Sequence, residues 1–207
     1  MAHYVSIHPK DPQPRLIGQA VAVLREGGIV AYPTDSSYAL GCQIGNKAAQ
    51  ERIRQIRRME DSHHFTLVCQ DLSELALYAR VDNSVFRLLR ALTPGPYTFL
   101  LKATHEVPRR LQNPKRKTIG LRVPDHPIAK ALLIALGEPI MSSTLILPGA
   151  ADPLADPYEI QEHLENQIEC IIDGGHCGLE PTTVIDLVGE TPVLVRRGKG
   201  DTSLFDR

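Results

Sequence analysis

The sequence predicts an α/β protein: a single domain built on a twisted, open, mixed sheet with flanking helices. Three observations lead there. Apolar runs of strand length, such as Ile29-Val30-Ala31-Tyr32 and Phe65-Thr66-Leu67-Val68-Cys69, alternate along the whole chain with segments of helical spacing. A chain of 207 residues suits one domain and buries roughly 70% of the surface it exposes when unfolded, so it needs no disulfide staples. The apolar fraction of 43% and charged fraction of 23% are those of a globular protein, and no internal repeat or low-complexity tract breaks the pattern.

Leu16, Ile17, Ala20, Val21, Val23 and Leu24 recur at helical spacing, and Gly27-Gly28 stops that helix. Ile29 to Tyr32 follows as a buried strand, ended by Pro33, which has no N–H to give to a ladder. Thr34 to Ser37 comes next, four small polar residues with two readings. They put donors and acceptors at the sheet edge, where open α/β sheets bind ligands, or they form a turn bonded to its own backbone. A second helix is predicted from Ala48 to Met59, with Ile53 and Ile56 inward and Arg52, Arg54, Arg57 and Arg58 elsewhere on its surface. Those four arginines are a solvated face or the wall of a phosphate site.

Phe65 to Cys69 is a strand, Leu72 to Tyr78 and Ser84 to Leu92 are short helices, and Thr93-Pro94-Gly95-Pro96 is a turn. Tyr97 to Leu101 and Thr118 to Val123 are strands on either side of a basic loop. His126 to Leu136 is an apolar helix, and Pro139 to Leu147 a strand with Ser142, Ser143 and Thr144 in its middle. Asp156-Pro157-Tyr158-Glu159 reads as a helix start, with a capping acid, proline at the first position and glutamate close behind. Tyr158, Ile160, Leu164 and Ile168 would form its inner face. Ile171 to Gly175, Thr182 to Leu187 and Pro192 to Val195 complete the chain as short strands. The domain is expected to span residues 10–202.

The net charge of −1 conceals a separation. Ala131 to Val195 holds eleven acids and no Lys or Arg, so all 23 basic residues lie elsewhere. Lys102, Arg109, Arg110, Lys115, Arg116, Lys117 and Arg122 cluster against the single Glu106. Such a local excess attracts an anionic partner, nucleotide or nucleic acid, unless it is a solvated loop. Several chemistries are excluded. There is no G-x-x-x-x-G-K-[ST] phosphate loop, no G-x-G-x-x-G after a strand and no G-x-S-x-G elbow. Cys42, Cys69, Cys170 and Cys177 form no disulfide framework, and neither His176-Cys177 near Cys170 nor His63-His64 has the spacing of a zinc site, so no protein-bound metal is predicted. No run approaches a membrane span and no leader-like apolar core begins the chain, so a cytoplasmic location with reduced thiols is expected, without membrane contact. A triad assembled from Ser36, His126 and Asp186 carries no weight, because any chain of this size permits such a choice.

What remains are hydroxyls, arginines and glycines at strand ends: Thr34 and Ser36, Ser142 to Thr144, Thr182-Thr183, Arg122, Arg196 and Gly198. Hydroxyls and guanidinium groups converging without a general base suit phosphate binding. They also suit adenylation, where positioning and charge stabilisation do nearly all the work.

These segments resemble the YrdC/YciO-type family, whose members include threonylcarbamoyl-AMP synthases of tRNA modification. The resemblance runs from Leu16 to about Asp201 through five motifs in order. They are Pro33-Thr34-Asp35-Ser36-Ser37-Tyr38-Ala39-Leu40-Gly41, Thr93-Pro94-Gly95-Pro96-Tyr97-Thr98, Leu121-Arg122-Val123-Pro124-Asp125-His126-Pro127, Thr182-Thr183-Val184-Ile185-Asp186 and Arg196-Arg197-Gly198. The resemblance implies a twisted open sheet with a broad basic concave surface. It also implies a reaction: ATP with Mg²⁺, L-threonine and bicarbonate give threonylcarbamoyl-AMP and pyrophosphate, in the pathway to t6A in tRNA. By resemblance, Arg57 and Arg58 screen phosphate charge, Thr144 and Thr182 hydrogen-bond the nucleotide, and Arg196 holds its phosphate or ribose. Thr34 and Ser36 orient a small amino acid, with Tyr38 and Arg122 in the same ATP- or AMP-binding set.

The chain departs from the synthases at their lysine-x-arginine signature, where it has Arg54 to Arg58 without lysine. It departs again at their serine-x-asparagine, where it has Thr144 and Ile146. Arginine for lysine keeps charge but alters shape, and a lost amide leaves ligand groups unpaired at about 1–3 kcal/mol. With Ser36 and Ala39, these departures look like the YciO subgroup, with synthase activity weakened or redirected. The alternative is a non-catalytic protein whose basic concave face binds double-stranded RNA, tRNA or rRNA through Arg52, Arg54, Arg109, Arg110, Lys115, Arg116, Lys117 and Lys199. Aromatics are sparse near the loop, so shape and backbone recognition would replace base stacking.

Overall fold

The structure, a computed structural model, describes residues 1–59 and 65–205; His63-His64 lies outside the described residues. In chain order the elements are β1 (His3–Ser6), α1 (Pro14–Arg25), β2 (Val30–Tyr32), β3 (Ala39–Gln43), α2 (Lys47–Arg57), β4 (Thr66–Val68), α3 (Leu72–Tyr78) and α4 (Asn83–Leu92). They continue with β5 (Tyr97–Lys102), β6 (Thr118–Arg122), α5 (Pro127–Leu136), β7 (Ile140–Thr144), α6 (Pro157–Leu164), β8 (Cys170–Asp173), β9 (Thr183–Asp186) and β10 (Val193–Arg196). Among the described residues all ten strands join one sheet in the order β1-β8-β2-β3-β7-β4-β6-β5-β9-β10. The sheet is mixed: β8 lies parallel to β1 and β2, whereas β3 runs antiparallel to both β2 and β7. It is also open, with β1 and β10 at its edges. The expected α/β class, single domain and mixed twisted sheet are therefore what the chain adopts. Among the described residues no helix is long and apolar enough to cross a membrane.

Pleating sends alternate side chains to opposite faces, and the two faces are covered differently. One is buried over most of its width, from β8 to β9 in the order of the sheet. Leu40, Leu67, Phe99, Leu121, Met141, Ile171 and Ile185 pack there under Ile53 of α2, Leu75 of α3, Leu89 of α4, and Ile160 and Leu164 of α6. The other is covered over only part of its width. There α1 and α5 set Ile17, Ala20, Val21, Leu24, Ile128 and Leu132 on Val5, Val30, Tyr32, Ile140, Cys170 and Ile172. Beyond those two helices the second face is open on Ser142 and Thr144 of β7, on Thr66 of β4, and on β6, β5, β9 and β10. That uncovered part of the sheet is the structural origin of the site.

Local sequence accounts for most element ends. Asp156 caps α6 by accepting the Tyr158 N–H at 2.9 Å, and Asp82 caps α4 through the N–H groups of Ser84 and Val85. Gly137 at φ 77° closes α5 in the left-handed conformation that glycine tolerates. Several element boundaries differ from expectation, and two short elements were not expected. The chain after Ser37 returns at once as β3, antiparallel to β2, so Thr34 to Ser37 is the turn between two adjacent strands. β1 was not foreseen, nor was the short 3₁₀ turn Arg109–Leu111 inside the basic loop. α5 begins at Pro127 with His126 as its cap. α6 ends at Leu164, so Ile168 lies beyond it, and Tyr158 is exposed rather than on its inner face.

Candidate functional site

Cross-strand register builds the floor of the open part. Thr66 of β4 pairs with Ser142 of β7 on one side and Gly120 of β6 on the other, and Gly120 pairs with Leu100 of β5. Thr66, Ser142 and Leu100 point to the uncovered face, as do Thr98, Arg122, Thr144, Thr182 and Val184, and together they line a cavity of about 500 Å³, with Gly120 between Thr66 and Leu100. Small side chains in the middle of a sheet that is large-residue on its other face produce the depression. Gly120 is central to it: a Cβ there would stand 3.2 Å from Thr66 Oγ1 and 3.4 Å from Thr98 Cγ2. Hydroxyls cross-brace the floor. Tyr32 Oη and Ser142 Oγ are 2.8 Å apart, as are Thr98 Oγ1 and Thr182 Oγ1. Burial pushes the Tyr32 phenol up to about 12, so it stays neutral.

Three guanidinium groups come to this hollow from different elements. Arg57, the last residue of α2, bonds Ser143 Oγ and the Ile146 carbonyl. Arg196 of β10 donates through Nη2 to the Thr182 carbonyl at 2.8 Å and to Thr182 Oγ1 at 3.3 Å. Arg122 of β6 is paired with Asp35 and donates to Ser36 Oγ at 3.4 Å, while its buried Nε has no partner among the described residues. Neither Arg57 nor Arg196 meets a carboxylate among the described residues. Burial pulls both below the ordinary arginine value, because water that would stabilise the cation is excluded. Guanidinium remains charged regardless, so two partly desolvated cations face the hollow with only neutral oxygens around them.

Both readings of the Pro33 to Ser37 stretch are present in the turn. Thr34 is used up locally: its Oγ1 accepts the N–H groups of Ser36 and Ser37 and donates to the Ser37 carbonyl at 2.7 Å. Asp35 faces Arg122, and Ser37 lines the hollow. Glycine holds the next segment against this turn, since a Cβ on Gly178 would lie 2.8 Å from the Ser36 carbonyl. Likewise a Cβ on Gly198 would fall within 2.6 Å of the Pro181–Thr182 backbone, so only glycine lets the chain after Arg196 pass there.

Of the residues singled out from sequence, Arg57, Arg122, Thr144, Thr182 and Arg196 line the hollow together, and Ser36 adjoins it through Arg122. Tyr38 and Arg58 do not reach it. Tyr38 is fully buried on the helix-covered face, and its hydroxyl donates to the Gly175 carbonyl at 2.8 Å. Arg58 follows α2 at φ 47° and lines a separate groove with Leu147, Pro148 and His163. The proposed RNA-contacting residues are dispersed. Arg52 pairs with Glu169, Arg54 lies over the Phe65 ring, Arg110 donates to the Gly45 carbonyl, Arg116 pairs with Asp186, and Lys199 donates to the Asp35 carbonyl. Arg109, Lys115 and Lys117 are exposed on the loop. Sequence reasoning missed Thr66, Thr98 and Gly120 as floor residues; the only signal was threonine or glycine where a buried strand prefers bulk.

An open mixed sheet with a hollow lined by hydroxyls and guanidinium groups, and with neither carboxylate nor histidine in the described lining, defines an α/β protein suited to binding an oxyanion. The Sua5/YciO/YrdC family model, described as "Telomere recombination", matches residues 22–198, and the chain belongs to that family. It is 58% identical to YciO of Escherichia coli across 99% of this chain and 100% of the other, and the crystal structure of that protein superposes with a TM-score of 0.96. It is 32% identical to the threonylcarbamoyl-AMP synthase of Halorhodospira halophila, across 91% of this chain and 98% of that one. The crystal structure of P. abyssi Sua5 complexed with L-threonine superposes with a TM-score of 0.86 at 28% identity, covering 94% of this chain and 57% of that chain.

Proposed function

We propose that the hollow binds ATP and a small amino acid and supports adenylation of the threonylcarbamoyl-AMP synthase type. The observation that carries this reading is the pair of desolvated guanidinium groups, Arg57 and Arg196, facing hydroxyls and no carboxylate. Such cations gain most from a polyanion. Family relation to threonylcarbamoyl-AMP synthases supports the same chemistry. In it, the amine of L-threonine adds to the carbon of bicarbonate and water is lost, giving a carbamate whose oxygen attacks the α-phosphorus of ATP. The bond from that phosphorus to the bridging oxygen breaks, and pyrophosphate leaves. Arg57 and Arg196 neutralise phosphate oxygens, Thr144 and Thr182 hydrogen-bond the nucleotide, and Arg122 with Ser36 and Ser37 orients the threonyl carbamate. Thr34 contributes by building the turn. Among the described residues no three His, Cys, Asp or Glu side chains converge on a metal-sized site. Mg²⁺ would come with ATP, where it would supply charge neutralisation. Threonine-dependent exchange between ATP and labelled pyrophosphate tests the reading. The expected result is exchange that needs threonine and bicarbonate and is lost in Arg57→Ala. A protein that binds ATP but exchanges nothing at saturating substrates would contradict catalysis.

A second reading, RNA binding, is favoured by the basic loop. Arg116 pins it to Asp186 of β9, beside the strand segment that carries Thr182 and Val184 into the hollow, and Arg109, Lys115 and Lys117 stay exposed. Backbone contacts of this kind weaken steeply with salt. Removing Arg109, Lys115 and Lys117 together should weaken tRNA retention and flatten its salt dependence while leaving ATP binding intact.

A further inference from the structure

A second cavity, of about 650 Å³, lies outside the hollow and shares no lining residue with it. Three distant segments meet there: 70–73 at the start of α3, 90–94 at the end of α4, and 123–130 leading into α5. Its volume falls in the range of sites that enclose small molecules. We infer that this cavity is a second small-molecule site, for a ligand carrying one anionic group on an apolar body.

Part of the wall is apolar, and that part has few backbone donors. Pro94, Pro124 and Pro127 line it beside Leu72, and proline offers no N–H and a fixed backbone shape. Such a wall suits a ring or acyl body and leaves little to pair with water. Two cations complete it, Arg90 from α4 and Lys130 from α5, both exposed and neither paired with a carboxylate among the described residues. The other polar groups are largely committed. Asp71 caps α3 by accepting the Glu74 N–H at 2.9 Å, His126 Nδ1 accepts the Ile128 N–H at 3.2 Å, and the Thr93 hydroxyl donates to the Leu89 carbonyl at 2.8 Å. The unengaged donors are thus two positive side chains and the Ser73 hydroxyl, and two exposed carboxylates share the lining: Asp71, whose Oδ1 is held by the first turn of α3, and Asp125. A phosphate, sulfonate or carboxylate oxygen answers the first set, and the proline wall answers the body behind it.

Phenyl phosphate, a probe with both parts, tests this directly. Inorganic phosphate and phenol, each supplying one part, are the controls. In ¹H–¹⁵N spectra phenyl phosphate should shift the amides of Ser73, Thr93 and Lys130, and each control should bind at least about tenfold more weakly. The double variant Arg90→Ala/Lys130→Ala removes two exposed side chains that hold no described part of the fold. It should weaken phenyl phosphate about tenfold or more, and Lys130→Gln alone should weaken it by less. Arg57→Ala, in the hollow, should leave those three shifts unchanged. The proposal is overturned if shifts appear only at hollow residues such as Ser37 and Thr144, if no amide of the cavity moves, or if the double variant binds as tightly as the parent. Inorganic phosphate binding as well as phenyl phosphate would overturn the apolar-body requirement.

Discussion

The carboxylate of Asp35 holds two partners at once: Oδ1 pairs with the Arg122 guanidinium, and Oδ2 accepts the Asp125 N–H at 2.9 Å. The two side chains are 10% and 9% exposed, so this is a buried pair, and it ties the Pro33 to Ser37 turn to the end of β6. Breaking one side of such a pair strands a buried charge. Asp35→Ala should therefore lower unfolding free energy by roughly 3 kcal/mol. Adding Arg122→Met should restore part of that loss. Urea denaturation of the two single variants and the double measures the coupling.

Gly120→Val places bulk between Thr66, Thr98 and Leu100, three residues that line the hollow. The Cβ needs a few tenths of an ångström from Thr66 and Thr98, and the two methyls beyond it occupy the space where a ligand would sit. ATP affinity, measured by calorimetry, should fall at least about tenfold, with a stability change of about 1–3 kcal/mol from overpacking.

Arg57 separates charge from shape. Its guanidinium reaches Ser143 Oγ and the Ile146 carbonyl together, which a single ammonium point charge does less well. Arg57→Ala should weaken ATP binding by about 1.5–3 kcal/mol, the span for a charged hydrogen bond. Arg57→Lys should recover part of the affinity, read in the same titrations.

His126 makes the fold sensitive to acid. Its Nδ1 caps α5, and burial holds the imidazole below its ordinary value of 6.5, with Lys199 acting in the same direction and Asp35 and Asp125 opposing. The unfolded chain then takes up a proton at higher pH than the folded one. The stabilisation is complete above pH 6.5 and is lost as pH falls through the lower folded value. The cap is worth about 0.5–2 kcal/mol. Denaturation at pH 7.5 and at pH 5.5 should show that loss in the parent and less of it in His126→Asn, whose amide oxygen caps at both.

Elements with local causes were legible in the sequence. The Asp156-Pro157 start of α6 and the limits of α3 follow from caps and periodicity that neighbouring residues supply. β3 escaped notice because Ala39, Leu40, Gly41 and Cys42 are buried on both faces and show no alternation. Gly41 has no side chain, since a Cβ would meet the Tyr32 ring at 2.8 Å and Ile140 at 2.6 Å. β1 escaped because its partner β8 is distant along the chain. The hollow was half legible. Motif neighbours suggested Tyr38 together with Ser36, but the pleat turns Tyr38 to the face opposite Ala39. Thr66, Thr98 and Gly120 converge only through register, which no single stretch encodes.

The most direct test of the central claim is calorimetric titration of ATP–Mg²⁺, with and without L-threonine, into the parent protein and into Arg57→Ala/Arg196→Ala. The account predicts one ATP site in the parent, tightened by threonine, and binding weakened at least about tenfold in the double variant. Equal ATP affinity in both proteins, or no ATP binding by the folded parent, would contradict it.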